Sequence, residues 1–192
     1  MGLELVLLFG SVRTHRRGDA ALRYVERRLL VRGHRTTVLD ARELSLPLVD
    51  RMYKEFPKGE APQALARMAA VLAPADAFVV VAGEYNHAPQ PGLKNLLDYF
   101  LEEWYWRPSA IVSYSAGGFG GVRAAMQLRA ILCELGMPSI PSLFPIPRIA
   151  AAFGADGEPT DPAMHLRFDR FASELEWYAE ALRERRAGGV PY

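Results

Sequence analysis

The stretch AGEYNHAPQPGLKNLLD, from Ala82 to Asp98, decides how the rest of the chain is interpreted. It follows the apolar run Phe78–Val81 and ends in leucines at helical spacing. We therefore expect a buried strand, a polar loop and then a helix. Ligands bind at the carboxyl edge of open α/β sheets, and Glu-Tyr-Asn there offers backbone amides, an aromatic face and a side-chain amide. These groups suit a planar heteroaromatic ring, although a polar loop without a ligand is the alternative.

The same alternation of apolar runs and helical patterns continues through the chain. Strands that alternate with helices predict a parallel sheet covered on both faces, which is a three-layer α/β sandwich. Five strands favour the flavodoxin-like order 2-1-3-4-5 in a single domain over residues 1–192. The predicted strands are Leu3–Phe9, Thr36–Leu39, Ala77–Ala82, Ile111–Ser115 and Pro138–Leu143, and a last helix is predicted over His165–Arg185.

Composition excludes several classes of function. The net charge of +1 gives no reason to expect nucleic acid as a partner, and no apolar run approaches the length of a membrane span. The one cysteine, Cys133, excludes an intrachain disulfide, so we expect a cytoplasmic protein. Cys133 falls on the apolar side of a predicted helix, which predicts a core thiol. The four histidines lack metal-ligand spacing, so no metal site is predicted.

Two further loops should meet the first at the same sheet edge, because the strands before them are neighbours in the predicted order. The loop GSVRTHRRG, Gly10–Gly18, precedes a helix, whose exposed N–H groups favour an anion, and its arginines suit phosphate oxygens. Merely solvated arginines are the alternative. The loop Ser115–Gly121 is rich in glycine, so a ligand can approach its backbone closely, although a tight turn explains it equally well.

Three stretches carry a resemblance to a known family. They are GSVRTHRRG (Gly10–Gly18), GEYNHAPQPGLKNLLDYF (Gly83–Phe100) and SYSAGGFGGVRAAMQLRAIL (Ser113–Leu132). In order and spacing they resemble the NAD(P)H-dependent FMN reductases of flavodoxin-like fold, which include quinone, azo-dye and chromate reductases. The resemblance implies an FMN phosphate held by Ser11, Arg13, Arg16, Arg17 and Gly18, an isoalloxazine lined by Glu84, Tyr85, Asn86 and His87, and its other edge at Ser115, Gly117 and Gly118.

The resemblance also implies an activity. FMN would take hydride from NADPH or NADH and pass electrons to a small-molecule acceptor such as a quinone, a flavin or an azo compound, in a ping-pong cycle. No side chain is required as acid or base, so no catalytic residue is predicted. A homodimer or homotetramer is expected, with Trp104-Tyr105-Trp106 at a subunit interface and core packing as the alternative. The rival functions are a flavodoxin-type electron carrier and a non-redox module, such as a non-catalytic flavin-binding regulator or a nucleotide-sugar-type enzyme.

Overall fold

The computed structural model describes residues 2–192 and contains six strands. They are β1 (Glu4–Phe9), β2 (Arg35–Asp40), β3 (Ala77–Tyr85), β4 (Ala88–Pro89), β5 (Ser109–Tyr114) and β6 (Ser139–Ile146). Five of them are parallel, in the order β2-β1-β3-β5-β6, which confirms the predicted flavodoxin-like order. The sixth, β4, was not predicted, because this segment was interpreted as a loop.

Strand β4 is a two-residue strand that pairs with the end of β3 in an antiparallel hairpin. Asn86 and His87 form the turn of this hairpin, with φ of 48° and 68°. Positive φ at both central residues is the geometry of the tight hairpin turn whose twist matches that of the strands, and asparagine tolerates it well. The hairpin therefore extends β3 beyond the sheet and gives its polar end a fixed shape.

Helices cover both faces of the sheet. They are α1 (Gly18–Val31), α2 (Ala41–Leu44), α3 (Gln63–Leu72), α4 (Pro91–Asp98), α5 (Val122–Glu134) and α6 (Ala163–Ala187). Side chains alternate along a strand, so β1 sends Leu5 and Leu7 into a core with α1 and α6, and Val6 and Leu8 into a second core with α3, α4 and α5. No helix among residues 2–192 is both long and apolar enough to cross a membrane.

Two sequence-based predictions about single residues were wrong. Trp104 is fully buried, and its Nε1 donates to the carbonyl oxygens of Leu97 and Phe100, so it packs within its own chain rather than at a subunit interface. Tyr105 and Trp106 are partly exposed, and their place at an interface stays a prediction. Cys133 is exposed rather than in the core. It follows Leu132, which faces the core, and one residue further along a helix points about 100° away.

Candidate cofactor site

A cleft of about 390 Å³ lies at the carboxyl edge of the sheet. Strands β1, β3 and β5 are neighbours there, so the loops that follow them meet at one place. This is the convergence that the sequence predicted for the three loops. The lining residues are Ser11, Arg13, His15, Arg16 and Arg17 from the first loop, Gly83, Glu84, Tyr85 and Gln90 around the hairpin, and Tyr114, Ser115, Ala116 and Ile149 from the far side.

The first loop leads into α1 and forms the cationic end of the cleft. Helix α1 has no side-chain cap on its first turn, so its N–H groups are free to bind an anion. Ser11, in the same loop, lines the cleft and is almost fully buried. Arg13 and Arg17 are exposed and form no ion pair within the described residues. This end therefore suits a phosphate group.

Arg16, in contrast, is already paired within the protein. Its Nη1 donates to Asp40 Oδ1 over 2.6 Å, and its Nε lies 3.0 Å from Asp19 Oδ1, close but not aligned for a hydrogen bond. The guanidinium carbon lies 4.9 Å from the centre of the Phe9 ring. The hydrogen bond to Asp40 raises the pKa of Arg16 against the opposing effect of burial. Three carboxylates, including that of Glu43 at 3.8 Å, offset its charge, so the geometry does not favour the predicted role of Arg16 as a phosphate ligand.

Tyr114 and Gln90 form the floor of the cleft, and the sequence analysis missed both. Gln90 Oε1 accepts from the Gly83 N–H over 2.8 Å, and its Nε2 donates to the Tyr114 hydroxyl over 3.2 Å. Burial raises the pKa of Tyr114, an effect that hydrogen bonds with Gln90 and Ser11 offset only in part. The signal was present, because Tyr114 directly precedes the predicted residue Ser115 at a strand end.

Gly18 lies against the same tyrosine. A Cβ atom at this position would fall 2.3 Å from the Tyr114 hydroxyl oxygen, so only glycine fits there. Gly18 was predicted to hold the phosphate, and in the structure it also allows α1 to pack closely against Tyr114. The first turn of α1 can approach the cleft floor only because this residue has no side chain.

The hairpin and the glycine loop form the other end of the cleft. Glu84 and Tyr85 line the cleft, whereas Asn86 and His87 lie exposed at the hairpin turn, outside the lining. Ser115 also lines the cleft. The remaining predicted residues, Gly117 and Gly118, are exposed and do not line it.

Backbone hydrogen bonds fix the position of the glycine loop. The Arg148 N–H donates to the Gly117 oxygen over 2.9 Å, and the Ile149 N–H donates to the Ser115 oxygen over 3.0 Å. These bonds join the loop to the segment after β6. The cleft is therefore cationic at the α1 end and offers an aromatic side chain and backbone groups at the hairpin end, an arrangement that suits a planar ring bearing a phosphate.

Comparisons with known proteins place the chain beside a family of reductases. Residues 3–151 match the family model described as NADPH-dependent FMN reductase. An NAD(P)H-dependent FMN reductase of Schizosaccharomyces pombe is 38% identical over 108 residues, which are 55% of this chain and 50% of that protein. A quinone reductase of Pseudomonas putida is 32% identical over 133 residues, which are 64% of this chain and 71% of that protein.

A solved structure shows the same fold. FerB, a flavoenzyme NAD(P)H:(acceptor) oxidoreductase from Paracoccus denitrificans, has a TM-score of 0.77 and 20% identity, covering 93% of this chain and 98% of that chain. Similarity at this identity concerns the fold alone. The chain spans half the length of the S. pombe protein, so that protein's activity does not transfer to it directly.

Proposed function

The chain belongs to the NADPH-dependent FMN reductase family, and we propose that it is an FMN-dependent oxidoreductase that carries electrons from NADPH or NADH to a small-molecule acceptor. One observation supports this most strongly. The uncapped first turn of α1, with the free guanidinium groups of Arg13 and Arg17, shares a single cleft with Tyr85. A phosphate and a flat ring can thus be bound together.

The residues of the cleft fit FMN. Ser11, Arg13 and Arg17 would hold its phosphate together with the amides of α1, because Ser11 lines this end of the cleft and neither arginine has an ion-pair partner among the described residues. Tyr85 and Ser115 would border its ring system. Asn86, His87, Gly117 and Gly118 lie outside the lining, and we assign them no direct contact.

The chain's own task is to bind, orient and donate hydrogen bonds. FMN, when bound, would supply the redox chemistry, namely acceptance of hydride from a nicotinamide and delivery of electrons to an acceptor. Burial raises the pKa of Tyr114, so its hydroxyl at the cleft floor is a neutral group that can donate as well as accept a hydrogen bond. No residue of the cleft is required as a general acid or base.

A visible spectrum tests the binding part of this proposal. The purified protein mixed with FMN and desalted should retain flavin absorption, because phosphate and ring are both held. The double variant Arg13→Ala/Arg17→Ala should lose most of it. Wild-type protein that remains colourless would refute the proposal and favour a module without flavin.

Turnover separates the reductase from an electron carrier. Anaerobic addition of NADPH should bleach the bound flavin, and addition of a quinone should restore its colour repeatedly with loss of absorbance at the nicotinamide band. Flavin that stays oxidised under NADPH and NADH, but is bleached by dithionite, would instead indicate a flavodoxin-type carrier.

We further propose one FMN-binding domain over residues 1–192, a location in the cytoplasm and a homodimer or homotetramer. A mostly apolar groove supports self-association, because apolar surface of this kind is usually covered; its lining includes Leu46, Pro47, Phe56, Leu65 and the exposed Leu48. Light scattering measures the oligomeric state, and a monomer at all concentrations would refute this part of the proposal.

A further inference from the structure

Two side-chain contacts hold the β3–β4 hairpin against helix α5. Glu84 Oε2 accepts from the backbone N–H groups of Arg123 and Ala124, each over 3.2 Å. Three residues further along the hairpin, the His87 carbonyl oxygen accepts from Gln127 Nε2 over 2.7 Å. The hairpin therefore has a fixed position relative to α5, and Tyr85 on the hairpin is fixed with it.

Glu84 acts as the missing cap of α5. The N-cap residue of this helix, Gly121, has no side chain that could accept a hydrogen bond, and the first-turn amides are bonded instead to a carboxylate from a different strand. A carboxylate at a helix N-terminus satisfies the free N–H groups and offsets the positive end of the helix dipole. The Glu84 side chain is 11% exposed, so this arrangement is largely shielded from water.

The two helices that begin near the cleft consequently differ in what they can bind. The N-terminus of α5 is occupied by the Glu84 carboxylate, while that of α1 is free and surrounded by arginines. The Glu84 carboxylate, which also lies 3.9 Å from Arg123 Nη1, already occupies the first end, so an anionic phosphate is attracted by the second end instead. The asymmetry leaves one orientation for a phosphorylated ring, with its phosphate at α1 and its ring at the hairpin.

We propose that Glu84 is a positioning residue for the cofactor: by capping α5 from the hairpin, its carboxylate fixes the ring-binding end of the cleft without itself binding the ring. This inference rests on the proposed binding of FMN. Glu84 acts through Tyr85 and the glycine loop, whose distance from each other is set by the cap. Its effect should therefore fall on the ring part of the cofactor and not on the phosphate.

Two substitutions at this position separate the hydrogen bonds from the charge. Glu84→Ala removes both bonds from Glu84 to α5 and leaves the bond from Gln127 to the His87 carbonyl oxygen as the remaining side-chain contact between the hairpin and α5. Glu84→Gln keeps an acceptor oxygen at the same reach, so it should retain most of the positioning. The matched variant at the other end of the cleft is Arg17→Ala, which removes a free guanidinium from the phosphate end.

Dissociation constants for FMN and for riboflavin, measured by quenching of flavin fluorescence, give the test. Glu84→Ala should weaken both ligands by a similar factor, roughly tenfold for the loss of a cap, and should change the visible circular dichroism of bound FMN. Glu84→Gln should lie close to wild type. Arg17→Ala should weaken FMN alone, since riboflavin has no phosphate.

Asp161→Ala controls for a loss of general stability. Asp161 Oδ1 accepts from the Ala163 N–H at the start of α6, so this variant also removes a carboxylate from the start of a helix, at a residue that does not line the cleft. It should lower the unfolding temperature and leave both dissociation constants unchanged.

Three results would overturn the inference. The first is that Glu84→Ala binds both flavins as tightly as wild type, and the second is that it binds FMN more weakly but riboflavin equally well. The third is that Asp161→Ala weakens flavin binding as much as Glu84→Ala does. Failure of the proposed function would look different, because the wild-type protein itself would then bind no FMN.

Discussion

Arg16 Nη1 lies 2.6 Å from Asp40 Oδ1, an ion pair that joins the first loop of the cleft to the end of β2. The Arg16 side chain is 10% exposed and the Asp40 side chain 12%, so water screens the pair only weakly. Arg16 Nη1 also donates to the Ser11 carbonyl oxygen over 3.0 Å. Arg16 therefore holds the shape of the loop, while Arg13 and Arg17 supply its free charge.

Arg16→Ala should destabilise the fold strongly, because it leaves Asp40 buried without its partner. We expect a loss of about 3 kcal/mol in the free energy of unfolding, measured with urea. Arg17→Ala, at an exposed position without an ion pair, should change it by less than about 0.5 kcal/mol. Equal unfolding curves for the two variants would show that the Arg16–Asp40 pair does not stabilise the loop.

Gly18→Ala should also be destabilising, although alanine usually favours a helix over glycine. The new Cβ would lie 2.3 Å from the Tyr114 hydroxyl oxygen, and overpacking of this kind costs about 1–3 kcal/mol. Gly117→Ala is the matched control, because a Cβ there meets nothing within 4 Å. Thermal unfolding of both variants decides the point, and an increase in the melting temperature of Gly18→Ala would contradict the close contact with Tyr114.

Trp104→Ala should lower stability and leave the oligomeric state of the folded protein unchanged. Removal of this fully buried ring, which packs edge-on against Phe78, should cost about 3–5 kcal/mol through the cavity left behind. Trp177→Ala removes the same side chain from a position that is 65% exposed and should cost less than about 0.5 kcal/mol. Calorimetry combined with a sizing column tests this. If Trp104→Ala melted at the wild-type temperature but eluted as a smaller oligomer, Trp104 would lie at a subunit interface after all.

Glu176 makes the stability of the folded protein depend on pH. Burial alone would raise the pKa of Glu176, but hydrogen bonds from Arg32 and His34 and the charge of Arg32 bring the net value below the ordinary 4.5. His34 Nδ1 accepts from the Leu3 N–H, so its Nε2 carries the proton that is donated to Glu176 Oε1 over 2.7 Å. The folded state therefore stabilises the ionised form of Glu176 more than the unfolded state does.

When folding lowers the pKa of a carboxyl group, that group stabilises the folded state fully at any pH above its pKa in the unfolded chain. The stabilisation is lost as the pH falls through its pKa in the folded protein. Glu176→Gln should thus cost about 1–3 kcal/mol at pH 7, and its difference from wild type should shrink once the pH is below about 4.5. Glu180→Gln, one turn along α6 at an exposed position, should show no such dependence. Urea unfolding across this pH range is the measurement, and a difference that stays constant would contradict the role of Glu176.

Much of the architecture could be predicted because its signals are local. The apolar run Leu3–Phe9 indicates a strand buried on both faces, and the structure has β1 over Glu4–Phe9. The hairpin at Asn86 and His87 was missed because a strand of two residues is too short to give an alternating pattern. The cofactor residues were found only in part, since a loop sequence shows which groups are available but not which way they point.

The sequence by itself determined the order of strands and helices and the edge at which the three loops meet, because burial repeats with a period that neighbouring residues reveal. Only the tertiary structure decided which polar groups remain free. Arg16 meets Asp40 across 24 residues, and Glu84 reaches the amides of α5 across 39 and 40 residues. Such partners depend on how separate elements pack together. That packing leaves Arg13 and Arg17 without ion pairs at one end of the cleft, while the Glu84 carboxylate bonds the N-terminus of α5 at the other.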